Sequence, residues 1–321
     1  MKKDRIRLNK IKKIVHNCLH LGTLIAQSSD TMSNAMDNAI RQQHHDAVRQ
    51  RYELLFLQSK DAGITEEKYG NNELIVSLTS YGQRIHSVYL TIESIMQQTM
   101  KPNKIILWLS RDEFTPETIP ASLKTQQGRG LELRFTEDIK SYKKLIPALI
   151  EFPDGIIVTV DDDCIYPINL IDILYQQHRQ HPNDVICTHA HIIDFDGNGE
   201  LKPYTEWKDP STCINEASHR FLAVGCGGIL YPPHCFHTDV LDKKNFMVLA
   251  PTADDLWFKI MALRHNTTTR KVPIYEDFFD WITLNNHKYD ISLFRTNITQ
   301  NDIQIKRLLE KYNVTREEII K

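Results

Sequence analysis

The stretch Gly155-Ile156-Ile157-Val158-Thr159-Val160-Asp161-Asp162-Asp163-Cys164-Ile165-Tyr166-Pro167 sets the reading of this chain. It is an apolar, β-branched run that ends in three adjacent carboxylates. Pro153-Asp154-Gly155 bounds it in front and Pro167 behind. Runs of this kind form buried parallel strands, and such strands open onto ligand sites at their carboxyl ends. If the backbone stays extended through the acids, Asp161 and Asp163 point to one side and Asp162 to the other. Two converging carboxylates raise each other's pKa unless a cation compensates, and an all-oxygen donor set favours Mg²⁺ or Mn²⁺ over zinc. Mg²⁺ takes one or two protein carboxylates and fills its shell with water and substrate phosphates, so a diphosphate-bearing substrate is expected. The plainer reading is an acidic turn that caps the following helix, which starts at Asn169-Leu170-Ile171.

The chain has 321 residues and a formal net charge of −2, enough for one large α/β domain and an appendage. The charge argues against a nucleic-acid binder, which carries a basic excess. Six cysteines (Cys18, Cys164, Cys187, Cys213, Cys226 and Cys235) show neither Cys-x-x-Cys nor zinc-finger spacing and read as reduced, cytosolic thiols. No stretch approaches the ~18 apolar residues of a membrane span. The sequons at Asn266, Asn297 and Asn313 are read as chance in a cytoplasmic protein.

Residues 1–62 lack strand patterns and proline and contain one glycine, Gly22, so a helical extension is expected. Lys2, Lys3, Arg5, Arg7, Lys10, Lys12 and Lys13 face a single acid, Asp4, with Leu8, Ile11, Val15, Cys18 and Leu21 near helical spacing. Two readings stay open: a helix lying on the anionic inner face of the cytoplasmic membrane, or one packing on the main domain or a second subunit. His16 and His20, without a third ligand, read as surface residues.

The α/β pattern begins at Glu73–Thr79, a strand broken by Ser80-Tyr81-Gly82, followed by a helix over 85–98. Strands follow at 104–109 and 131–135, and a helix over 142–150 leads into the triplet strand. Another helix runs to 181 and a strand spans 184–188. This alternation implies a mostly parallel sheet flanked by helices. Further on, His189-Ala190-His191 and His234-Cys235-Phe236-His237 read as packing or binding residues rather than metal pairs. Gly225-Cys226-Gly227-Gly228 is sharper, because glycines let a ligand or backbone approach closely, yet it is neither a dinucleotide fingerprint nor a P-loop. Pro251-Thr252-Ala253-Asp254-Asp255 opens a helix to about Arg264, with Thr252 and Asp255 spaced as a capping box. A carboxylate fixed there is also well placed as a general base. Residues 301–321 read as one more amphipathic helix.

With the triplet strand, the glycine turn and the acidic helix start in this order, residues 72–305 resemble nucleotide-sugar glycosyltransferases of the GT-A fold. The likeness is to bacterial enzymes that build capsular or lipopolysaccharide glycans. The resemblance implies a catalytic domain over 63–290 with a helical tail over 291–321. In that family an Asp-x-Asp element ends a central strand, which places the divalent metal on Asp163 and Asp161, with Asp161 and Asp162 near the donor. It places the catalytic base of an inverting reaction on Asp255, with Asp254 its neighbour, and the nucleotide at Thr79, Ser80, Tyr81 and Arg84. Lys143 and Lys144 are the candidate cations for the departing diphosphate, and Gly227 and Gly228 the close-approach glycines. The implied cofactor is Mn²⁺ or Mg²⁺, the donor a UDP-sugar, and the acceptor a glycan or lipid-linked glycan. The chain departs from the pattern where Leu109-Ser110-Arg111-Asp112 replaces a uracil-reading aspartate, and where an Asp-Asp pair replaces Glu-Asp. Two other readings compete. One is an aspartyl-phosphate phosphatase using Asp161 and Asp163, against which stands Ile165 in the place of a threonine or valine. The other is a non-catalytic glycan-binding subunit.

Overall fold

The structure, a computed structural model, describes residues 36, 38–210, 214–273, 282–284 and 293–321. It divides into two units, 1–51 and 52–321. In the first, residues 38–51 are helical; the basic stretch Lys2 to Lys13, His16 and His20 lie outside the described residues. Among the described residues no helix is long and apolar enough to cross a membrane.

The second unit carries the sheet. Its strands are β1 (Leu74–Thr79), β2 (Lys104–Ser110), β3 (Leu131–Thr136), β4 (Ile156–Thr159), β5 (Cys164–Ile165), β6 (Val185–Cys187), β7 (Ala190–Ile192), β8 (Glu216–Ser218), β9 (Phe221–Ala223), β10 (Ile229–Tyr231), β11 (Thr269–Lys271) and β12 (Ile282–Thr283). Eight of them form one sheet in the order β3-β2-β1-β4-β10-β6-β11-β8. Neighbours among β3, β2, β1 and β4 are parallel, as are β6 and β11, so the mostly parallel α/β architecture expected from the sequence is present. The sequence did not reveal β10, which runs antiparallel between β4 and β6. Its three residues follow a glycine turn and are too short to declare a direction.

The helices are α1 (Val88–Met96), α2 (Ala121–Gln127), α3 (Ile146–Glu151), α4 (Leu170–Gln180), α5 (Lys243–Leu249), α6 (Asp254–Arg264), α7 (Leu293–Tyr312) and α8 (Arg316–Ile320). Leu74, Val76 and Leu78 of β1 pack in one cluster with Ile92 and Ile95 of α1 and Leu170 and Leu174 of α4. Ile75 belongs to the opposite cluster with Tyr142, Trp257, Phe258, Ile305 and Leu308. Both faces of β1 are therefore apolar, which explains why it reads as a continuous hydrophobic run rather than an alternating one.

Two expected helices are split. Residues 82–86 form a 3-10 turn before α1, and residues 140–144 another before α3. Pro147 lies in the first turn of α3. Proline is tolerated only there, so the α-helix starts next to it and Tyr142, Lys143 and Lys144 fall into the preceding turn. That turn is nailed to the core. Ser77 Oγ donates to the Lys144 carbonyl (2.6 Å), and the Tyr142 hydroxyl donates to the Ala250 carbonyl (2.6 Å) while its ring stacks on Phe246. Tyr142→Phe is expected to cost about 1–3 kcal/mol in urea denaturation, because the Ala250 carbonyl loses its buried partner.

Asn266 and Asn313 take positive φ just past the ends of α6 and α7. Asparagine tolerates that conformation, so two of the three sequons serve as helix stops.

Candidate active site

β4 ends at Thr159, two residues short of the acids, and the chain turns at Asp162-Asp163 before β5. The expectation of an extended backbone through the triplet is therefore corrected. Val160 still donates to the Ser77 carbonyl, but the Asp161 N–H donates instead to the Tyr166 hydroxyl (2.9 Å). Each aspartate then meets a different environment.

Asp162 is buried. Its carboxylate accepts from Ser80 Oγ (2.6 Å) and Arg84 Nη1 (2.8 Å), and its carbonyl accepts from Thr91. Burial pushes its pKa up to about 6 against the opposing pull of Arg84. The same guanidinium nitrogen lies 3.0 Å from Asp163 Oδ2, and Arg84 sits over the Tyr81 ring. Burial disfavours the charge on Arg84, but Asp162 and Asp163 outweigh it and hold the guanidinium protonated. Thr79 donates its hydroxyl to the Trp108 carbonyl (2.8 Å), fixing the end of β1. The break after β1 thus brings Ser80, Tyr81 and Arg84 to the triplet.

Asp161 faces the other way. Lys144 Nζ lies 3.0 Å from Asp161 Oδ1, 3.1 Å from Asp254 Oδ2 and 3.9 Å from Asp255 Oδ1. One buried ammonium therefore joins the triplet to the start of α6. Burial works against its charge, yet the three carboxylates hold its pKa well above the ordinary lysine value. Lys143, its neighbour, instead pairs with Asp138.

The expected capping box at α6 is absent: no side chain caps this helix, and Thr252 exchanges hydrogen bonds with Gln304 of α7 (3.0 and 2.9 Å). Asp255 is thereby released from structural duty to its own helix. Its Oδ2 accepts from the Gly225 N–H (3.2 Å), while Oδ1 has no hydrogen-bond partner. Burial, then repulsion from Asp254 and Asp161, raises the Asp255 pKa to about 7, with Lys144 pulling the other way. Gly225 makes this geometry available. A Cβ there would lie 2.6 Å from Lys144 Nζ and 3.1 Å from Asp161 Oδ1. Gly227 backs instead on Thr188 and His189, and Gly228, with φ +85°, on Leu170.

Asp161 and Asp163 each keep about a third of their side chain exposed, 31% and 34%. Burial first, and then the Asp161 charge, raises the Asp163 pKa. This oxygen-only pair fits Mg²⁺ or Mn²⁺, which need no more than two protein carboxylates when water and phosphates complete the shell. Among the described residues there is no cluster of three side chains able to hold a metal. Asp161 and Asp163 are thus the pair that would hold a divalent ion, with Lys144 and Arg84 each occupying one carboxylate oxygen.

No family model matches the chain, and no curated protein matches it. Among solved structures it is similar to a mannosyltransferase from Pyrobaculum calidifontis in complex with GDP-Man and Mn²⁺. The identity is 12%, the alignment covers 86% of this chain and 74% of that one, and the TM-score is 0.46. That likeness assigns no function to this chain.

Of the residues singled out from the sequence, Ser80, Arg84, Lys144, Asp161, Asp162, Asp163, Asp254 and Asp255 come together through direct contacts. The histidine pairs do not join them: His191 pairs with Asp209 and His234 with Asp154. The sequence marked the glycine turn but gave Gly225 no role of its own; packing sets it against Lys144 and Asp161.

Proposed function

We propose that this protein is a metal-dependent glycosyltransferase that moves a sugar from a nucleotide diphosphate donor to a glycan acceptor with inversion, Asp255 being the general base. The observation that carries this reading is the buried Lys144 ammonium joining Asp161, Asp254 and Asp255. It sets a positive charge next to a carboxylate whose pKa is matched to neutral pH. Ser80, Tyr81 and Arg84 line the donor side, with Arg84 and Lys144 supplying positive charge toward the departing diphosphate. A divalent ion held by Asp161 and Asp163 supplies Lewis-acid stabilisation of that leaving group when bound. Asp255 Oδ1, which accepts no hydrogen bond and lies 3.9 Å from Lys144 Nζ, takes the proton of the attacking acceptor hydroxyl from the face opposite the diphosphate. A UDP-sugar donor and a role in bacterial capsular or lipopolysaccharide synthesis at the cytoplasmic membrane extend the same reading, with residues 1–62 as the membrane or subunit contact.

Thermal shift with nucleoside diphosphates and nucleotide sugars, with and without Mn²⁺ or Mg²⁺, tests the core of it. A ligand at 100 times its Kd adds about 2.7 kcal/mol of apparent stability. A metal-dependent shift with one nucleotide family, lost in Asp163→Ala, is the expected result. No shift with any nucleotide, together with phosphate release from a phosphomonoester, would replace the transferase by the phosphatase reading.

A further inference from the structure

Lys144 reaches the acids from a turn that holds itself weakly. Residues 140–144 form one 3-10 turn, whose hydrogen-bond geometry is poorer than that of an α-helix. Its first residue, Lys140, takes φ +55°, a left-handed conformation that suits glycine and not lysine. Such a turn takes its position from whatever grips it. Tyr142 grips it at the Ala250 carbonyl, and Ser77 grips it at Lys144 itself.

The Ser77 grip has its origin one strand further out. Trp108 of β2 is 5% exposed, and its indole Nε1–H donates to Ser77 Oγ (2.9 Å). A serine hydroxyl has a single proton, and that of fully buried Ser77 goes on to the Lys144 carbonyl (2.6 Å). The other polar group of Trp108, its carbonyl, accepts from the Thr79 hydroxyl (2.8 Å). Thr79 stands opposite Trp108 in the parallel β1–β2 pair, and Arg134 of β3 covers the indole ring at 5.7 Å. A continuous strut therefore runs from Thr79 through Trp108 and Ser77 to Lys144. One end lies beside Ser80, which holds Asp162; the other carries the ammonium that faces Asp161, Asp254 and Asp255. Loss of the Ser77 hydroxyl would orphan two buried groups together, the indole N–H and the Lys144 carbonyl.

We propose that Trp108 and Ser77 are positioning residues of this site: through the Lys144 carbonyl they set where the Lys144 ammonium stands among the three acids. The consequence for a donor diphosphate rests on the transferase reading. Neither residue touches the reacting groups, and both act through Lys144.

A double-mutant cycle in urea denaturation separates this role from plain packing. The carbonyl at position 144 is present whatever the side chain, so a purely structural loss in Ser77→Ala would be the same in wild type and in Lys144→Met. The expected result is a loss in Ser77→Ala that is smaller in the Lys144→Met background by at least about fivefold in the unfolding constant. Trp108→Phe, which keeps a ring and leaves the Ser77 bond to Lys144 possible, is the milder variant and is expected to show the same coupling more weakly. The second readout is binding of UDP against UMP, and of GDP against GMP, in one Mn²⁺ buffer. In Ser77→Ala the diphosphate of the nucleotide that wild type binds is expected to lose about tenfold in affinity, and the monophosphate much less. Additive losses in the cycle, or equal losses for diphosphate and monophosphate, would overturn the positioning role. If wild type binds no nucleotide, the transferase reading falls, and the cycle alone decides for or against the strut.

Discussion

Replacing Asp255 by asparagine is expected to lower kcat by about 10² to 10⁴, the usual contribution of a positioned general base, while donor KM changes little. The substitution keeps the side-chain volume and the acceptor oxygen that receives the Gly225 N–H, so the fold of the site survives. What it removes is the group able to take a proton. The pH dependence gives the second signature. Burial lifts the Asp255 pKa to about 7, so the base is protonated and idle on the acid side of neutrality. Wild-type kcat/KM should therefore rise with pH through about 7 and level off above it, and the asparagine variant should lose that limb. A residual rate that keeps the limb would assign the titration, and the base, to another group. The sign for stability is the reverse: a carboxyl whose folded pKa exceeds its unfolded value favours folding most at low pH and loses that contribution as pH rises toward about 7.

Lys144→Met is expected to cost about 3–5 kcal/mol of stability at neutral pH, because removing one partner of a buried ion pair leaves charge uncompensated. Here a single ammonium, 7% exposed, serves Asp161, Asp254 and Asp255, and Asp254 is itself buried. Methionine fills the volume without the charge, so the loss reads the electrostatics rather than a cavity. Urea denaturation at constant m-value measures it. Lys143→Met is the natural control, since Lys143 binds a half-exposed aspartate away from the cluster. A loss under about 1 kcal/mol for Lys144, comparable to a surface ion pair, would mean that the three acids do not depend on it. Turnover is expected to fall with stability, because Lys144 also faces the donor diphosphate in the transferase reading.

The contrast between the two lysines shows where sequence reading stops. Lys143 and Lys144 are adjacent and both buried, and nothing in Ser141-Tyr142-Lys143-Lys144-Leu145 says which of them reaches the acids. Pro147 decides it, by forcing the pair into a 3-10 turn whose carbonyl at Lys144 is caught by Ser77 of β1. Lys143, just as buried, reaches Asp138 instead. The triplet behaves likewise. Period-two alternation would set Asp162 against its neighbours, but that rule holds only while a strand is extended, and β4 stops at Thr159. Beyond it, Ser80 and Arg84, some eighty residues earlier, select Asp162 as the buried acid.

By itself the sequence determined the α/β sheet and the position of the acids at the end of a central strand. Both are carried by local patterns: apolar β-branched runs, turn residues between them, and charge clustered at the strand end. Tertiary structure alone decided that β10 runs antiparallel, that Asp254 and Asp255 converge with Asp161 on one lysine, and that α7 delivers Asp302 to the Tyr204 N–H. Most of these contacts join residues about seventy or more positions apart. They follow from how layers pack on the sheet, and no periodicity along the chain records them.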